Sequence, residues 1–306
     1  MNAVQQLSRI RLISRDPEQL ADFYEAAFGF ARTSEKSIAE PAFAALMCIP
    51  GATARIITLQ LGDQKIELAG IHPRGGSYPE SVAGWSPLFQ HCAIVVSDMT
   101  KAYARLSAQA AWVAISKAGP QLLPPASGGV RAFKFRDPEG HPLELLAFAR
   151  GAVPERWQSN SSGGCLGIDH SAISIADTLR SIAFYERFGL RRIGGSLNVG
   201  SAQDKLDDVA GARVEVTALA PAAHSTPHVE LLCYRGGFDR NLAAPSTNDI
   251  AATYLVFSVD NAETLQALAI RNHDARLSGP VRFEDGTLRG LFRDPDGHLL
   301  CLEAPL

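Results

Sequence analysis

Short apolar runs recur along the chain at nearly constant intervals. RIRLIS (9–14), HCAIVV (91–96), HSAISI (170–175) and TYLVFSV (253–259) each have the length and the β-branched content of a strand. Each run leads to an aspartate: Asp16, Asp98, Asp177 and Asp260, which lie 82, 79 and 83 residues apart. Beyond each aspartate the apolar period lengthens to that of an amphipathic helix, as in PEQLADFYEAAF and TLRSIAFYERF. Aspartate suits the start of a helix because its carboxylate accepts the free amides of the first turn. Asp16 with Gln19 and Asp260 with Glu263 have capping-box spacing, and Pro17 fits the first helical position. The first and third helices share a Phe-Tyr pair (Phe23-Tyr24, Phe184-Tyr185) and end near Gly29 and Gly189.

More extended runs follow each helix. ARIITLQL and KIELAGI flank Gly62-Asp63, and ARVEVTAL and HVELLCY flank the loop APAAHSTP. FKFRDPEGHPLELLAF (133–148) and LFRDPDGHLLCLEAPL (291–306) each read as a hairpin turning on Asp-Pro-x-Gly. The repeating unit is therefore β-α-β-β-β, present four times, and the fold class is α+β. Polar segments at 72–87, 150–164 and 235–249 separate the units. The middle one, rich in Ser and Gly, predicts a division into residues 1–149 (modules 1–71 and 87–149) and 165–306 (modules 165–235 and 250–306), with 150–164 as linker.

Length and composition agree with two domains. The chain has 306 residues, 46% hydrophobic and 20% charged, with a formal net charge of −3. No basic excess points to nucleic acid, and no apolar run approaches a membrane span. The N-terminus has no signal-peptide pattern, and the five cysteines are odd in number and lack C-x-x-C spacing. These features predict a cytoplasmic protein with reduced thiols in its core.

The tandem β-α-β-β-β unit, with its strand–Asp–helix–FY–Gly opening and DPxGHxxE closing hairpin, resembles the vicinal oxygen chelate superfamily. That superfamily includes glyoxalase I, the bleomycin-resistance proteins and the extradiol dioxygenases. The resemblance implies modules paired into cup-shaped domains, with a divalent metal on the inner face and a small-molecule substrate. It also implies ligands on the first strand, seven residues before the capping aspartate, and on the last strand of each module. Here the first-strand positions hold Arg9, His91, His170 and Thr253, and the last-strand positions hold Glu67, Glu144, Glu230 and Cys301. Glu303 is a substitute two residues beyond Cys301, on the same strand face.

With neighbouring modules paired, the first cup would hold a metal on His91, Glu67 and Glu144. Zn, Ni, Mn or Fe(II) would suit that set, with a glutamate, Glu144 or Glu67, doubling as catalytic base. Arg9 and Arg11 would orient an anionic substrate group, or Arg9 would pair with a glutamate and replace the metal. A second candidate site is His170, Glu230 and Glu303. The expectation is a metal-dependent enzyme of glyoxalase-like lyase or isomerase chemistry acting on a small oxygenated metabolite. The alternatives are an Fe(II) extradiol dioxygenase and a metal-free binding or resistance protein. Exposed sheet edges would allow a homodimer. His141 and His298 are expected to be exposed on their hairpins, and Tyr24 and Tyr185 to pack in the core with their hydroxyls near the surface.

Overall fold

The computed structural model describes residues 3–80, 82–158, 164–236 and 243–306. Module 1 contains β1 (Val4–Ile13), α1 (Pro17–Phe28), β2 (Ala31–Ile38), α2 (Pro41–Met47), β3 (Thr53–Leu61) and β4 (Gln64–His72). Module 2 contains β5 (Gln90–Val96), α3 (Met99–Ser107), the short β6 (Val113–Ala114) and β7 (Gln121–Leu122), then β8 (Arg131–Arg136) and β9 (Pro142–Ala147). Module 3 runs β10 (Cys165–Ser174), α4 (Thr178–Glu186), β11 (Leu190–Val199), α5 (Ser201–Asp207), β12 (Arg213–Pro221) and β13 (His228–Tyr234). Module 4 runs β14 (Tyr254–Val259), α6 (Ala262–Arg271), β15 (Arg276–Arg282), β16 (Thr287–Arg293) and β17 (Leu299–Pro305). Parts of the 150–164 and 235–249 linkers lie outside the described residues.

The four modules form two sheets, but neighbours in sequence do not share one. One sheet has the order β15-β16-β17-β14-β1-β4-β3-β2, and the other is built on β11-β12-β13-β10-β5-β9-β8-β6. Module 1 therefore pairs with module 4 through antiparallel β1 and β14, and module 2 pairs with module 3 through β5 and β10. This corrects the expectation that residues 1–149 would make one cup and 165–306 the other.

The halves still cohere, through their helices. One core joins α1, α3 and the strands of modules 1 and 2, including Phe28, Leu59, Ile94 and Phe135. A second joins α4, α6 and the strands of modules 3 and 4, including Phe188, Leu231, Phe257 and Phe292. Each sheet thus turns one face to α1, α3, α4 and α6 and curves the other into a cup; in modules 1 and 4 that inner face also carries a third apolar cluster, with Phe43 and Met47 of α2 packed beside Tyr254 and Cys301.

The repeated motifs tie together the two modules of each half. The Tyr24 hydroxyl donates to Asp137 Oδ2 at 3.2 Å, and the Tyr185 hydroxyl donates to Asp294 Oδ2 at 3.1 Å. These hydroxyls are buried, not near the surface as the sequence suggested. His141 and His298 are buried too, because each is a cross-module link. The His141 ring contacts Asp137 Oδ2 at 2.8 Å and the Ile13 carbonyl at 3.0 Å, and His298 Nε2 donates to the Ser174 carbonyl at 2.8 Å. Burial works against a charged His141, yet both ring nitrogens face acceptors, and Asp137 holds its pKa above the usual histidine range.

Asp16, Asp98 and Asp177 cap their helices as their spacing predicts. In module 4 the cap is Asn261, whose side chain accepts from Thr264 N, while Asp260 accepts from Gln5 Nε2 at 2.8 Å. Both residue types cap well, so adjacent candidates are ambiguous in sequence. The shift moves the first-strand position of module 4 from Thr253 to Tyr254. The short helices α2 and α5 go beyond the expected unit. All five cysteines are free, but Cys48 is exposed and Cys165 is intermediate, so neither of these two is a buried core thiol.

Candidate metal centre between modules 2 and 3

Strand alternation sets which side chains enter the cup. On β5, Cys92, Ile94 and Val96 join the helix-side core, leaving His91 and Ala93 on the opposite face. His91 is paired across the sheet with Ala172, and His170 with Ala93. The same alanines carry the glutamates: Ala93 lies beside Glu144 on β9, and Ala172 beside Glu230 on β13. The His-x-Ala sequences at 91–93 and 170–172 thus place two imidazoles and two carboxylates in a near-two-fold arrangement.

All four residues line a cavity of about 320 Å³, whose walls mix apolar groups such as Leu123, Leu146 and Phe148 with polar ones such as Ser127, Asn198 and Gln203. One ligand atom from each of His91, Glu144 and His170 lies within 4.8 Å of the others. His91 Nε2 is 2.9 Å from Glu144 Oε2, and His170 Nε2 is 3.4 Å from Glu230 Oε2. Despite this closeness, neither contact has hydrogen-bond geometry. His91 Nδ1 and Nε2 and His170 Nε2 are buried without a hydrogen-bond partner among the described residues. Orphaned buried nitrogens are costly, and a shared cation would satisfy one lone-pair nitrogen of each ring.

The charge balance favours the same ligand. Burial pushes the His91 pKa down, against Glu144, which favours the neutral ring with its single available lone pair. Burial would raise both carboxyl groups, yet the neighbouring histidines prevail: Glu144 lies below its usual range and Glu230 is lowered to about 2. For His170 burial is outweighed by Glu230 and Asp169, and its pKa rises to about 9. A metal would therefore displace a proton from His170. Two imidazoles and two ionised carboxylates suit Zn, Ni, Mn or Fe(II).

Three further residues in and around this cup had not been singled out from sequence. A bulge in the β5–β10 pairing between Ile168 and His170 leaves Asp169 out of register. That irregularity lets Asp169 face the cup beside its chain neighbour, with Oδ2 3.0 Å from His170 Nδ1. His228 sits two residues before Glu230, on the same strand face, with Nε2 3.6 Å from Glu230 Oε1. Lys134, paired in register with Glu144, is buried and donates to Asp207 Oδ1 at 2.8 Å. The HVEL run was the available signal for His228; nothing local announces the bulge.

The other predicted residues are elsewhere. Glu67, Arg9 and Arg11 belong to the cup of modules 1 and 4. Arg9 Nε donates to Glu67 Oε1 at 2.8 Å, and Arg11 Nε donates to Glu67 Oε2 at 2.8 Å. Glu67 is thus 3% exposed, with both oxygens on guanidinium groups, and it does not join His91 and Glu144. Glu303 is in the same cup, paired with Arg9, so it does not complete a set with His170 and Glu230. The physical reason is the swapped pairing of modules, which separates residues that are neighbours in the linear repeat.

Comparison with known proteins agrees with this architecture. The Glyoxalase/Bleomycin resistance protein/Dioxygenase superfamily matches residues 6–145 and 167–302. Glyoxalase I from Zea mays superposes with a TM-score of 0.61 at 15% identity, over 98% of this chain and 92% of the maize chain. A putative dioxygenase from Bacillus subtilis subsp. subtilis str. 168 superposes with a TM-score of 0.56 at 14% identity, over 99% of this chain and 86% of that one. At these identities the likeness is one of fold. No curated protein matches. With both halves covered by the family match and the cups arranged as described, the chain belongs to the Glyoxalase/Bleomycin resistance protein/Dioxygenase superfamily.

Proposed function

We propose that the cup of modules 2 and 3 binds one divalent metal ion on His91, Glu144, His170 and Glu230. The reaction is a glyoxalase-like lyase or isomerase step on a small oxygenated metabolite. The observation that carries this reading is the convergence of two imidazoles with orphaned nitrogens and two ionised carboxylates in one cavity. When bound, the ion would supply Lewis-acid polarisation to adjacent substrate oxygens. Glu144 or Glu230 takes a proton from the carbon beside a carbonyl and returns it to the neighbouring carbon. Asp169 holds the His170 ring so that Nε2 faces inward. Arg9, Arg11 and Glu67 take no part in this step.

Elemental analysis of untagged protein tests the site. One ion per chain is expected in the wild type, and it should be lost from both His91→Ala and His170→Ala but retained by Glu67→Gln. Retention by either histidine variant, or no ion in reconstituted wild type, would remove the proposal. His91, His170 and Glu144 also make a two-histidine, one-carboxylate set, which supports a second reading as an Fe(II) dioxygenase. That reading requires ring-cleavage absorbance when the iron-loaded protein is given a catechol.

A further inference from the structure

The cup of modules 1 and 4 has the opposite chemistry at equivalent places. Where the other cup has His170, it has Arg9, and the positions corresponding to His91 and Glu144 hold Tyr254 and Cys301. Arg9, Arg11 and Arg289 share the two carboxylates of Glu67 and Glu303. Asp285 adds a third carboxylate through Arg289, but its side chain is 45% exposed. Lys36 is close enough to be pushed below its usual pKa range, by burial first and then by Arg289, Arg11 and Arg9, against Glu67. Four cationic groups thus face three carboxylates, an excess of one positive charge in a partly dry cup.

Two donors in the cluster are free. Arg289 is 2% exposed, and its Nε is buried with no hydrogen-bond partner among the described residues. Its guanidinium lies 4.1 Å from the centroid of the Phe283 ring, which engages the face of the group and leaves the in-plane Nε–H unanswered. Lys36 makes no hydrogen bond among the described residues and is half-buried. Arg9 and Glu303, at 16% and 18% side-chain exposure, open the network to solvent. An orphaned guanidinium donor beside uncompensated positive charge is what an incoming oxyanion would satisfy.

We propose that the cup of modules 1 and 4 is an anion site, taking one small oxyanion, a carboxylate or a phosphate group, on Arg289 and Lys36. The two cups of the chain are then specialised for ligands of opposite sign, one for a cation and one for an anion. This assignment is independent of the metal reading.

Isothermal titration of the full-length protein with sodium acetate and with sodium phosphate tests it, using sodium chloride of equal ionic strength as the reference. One saturable site per chain is expected, weakened roughly tenfold in Lys36→Met and Arg289→Gln and preserved in His170→Ala. Binding of acetate alone would identify a carboxylate ligand, and binding of phosphate alone a phosphoryl group. No saturable heat beyond chloride would overturn the proposal, as would loss of binding in His170→Ala. Undiminished binding in Lys36→Met would do the same. Lys36 is half-buried and unbonded, so that variant decides the matter even where Arg289→Gln fails to fold.

Discussion

Arg9 and His170 occupy matching places, each seven residues ahead of a capping aspartate, and each faces a glutamate from a neighbouring strand. The consequence differs because a guanidinium is always charged, whereas an imidazole has a lone pair to offer once deprotonated. Glu67 illustrates this. Burial would raise its pKa, but Arg11 and Arg9 prevail and lower it to about 2. A depressed carboxyl contributes stability that is fully present above the unfolded value near 4.5 and is lost as the pH falls towards 2. That contribution is on the order of 3 kcal/mol. Glu67→Gln should therefore be markedly less stable than wild type at pH 7, with the gap narrowing as the pH falls from 4.5 to 2.5, measured by urea unfolding. A second expectation concerns Asp169. With the His170 ring no longer oriented, Asp169→Asn should bind metal about 10- to 100-fold more weakly by competitive chelator titration. Unchanged affinity would show that the bulge has no part in the site.

At the level of elements, helix caps and hairpin turns are legible because they depend on a few adjacent residues. Asp16 and Asp177 accept the amides that their spacing assigns them. The Phe-Tyr and Asp-Pro-x-Gly-His motifs are equally visible in sequence, but their purpose is not, because each needs a partner from the adjacent module. Tyr24→Phe and Tyr185→Phe should each cost about 1–2 kcal/mol of stability, since each leaves a buried aspartate short of a donor. Denaturant midpoints would show it, and a cost near zero for both would mean that the link is dispensable. Three features escaped sequence reading. The seven-residue helices α2 and α5 are too short to show an amphipathic period, and the bulge at Asp169 depends on what lies across the sheet.

For the whole molecule, two different pairings operate at once. Helix-lined cores join modules 1 with 2 and 3 with 4, while the sheets join 1 with 4 and 2 with 3. Both sheets therefore cross the midpoint of the chain. A protease site inserted after Ala152, in an exposed segment, should yield two fragments that stay together in gel filtration without denaturant. Separation of the fragments would mean that the β1–β14 and β5–β10 pairings hold the molecule less firmly than their length suggests. Each cup is built from strands of one chain.

The sequence by itself determined the repeat and the strand and helix order, because each depends on local alternation, capping and turn chemistry, and the family resemblance those motifs carry made His91, Glu144, His170 and Glu230 candidates. Which of those residues meet was decided only by the tertiary structure. The four opening strands each carry a similar buried apolar stretch, so their patterns do not distinguish one partner from another. The pairing brings side chains together over long sequence separations: histidines and glutamates around one cavity, arginines and glutamates in the other cup. Sequence order placed Glu67 with His91; the swapped sheets gave it to Arg9 and Arg11 instead.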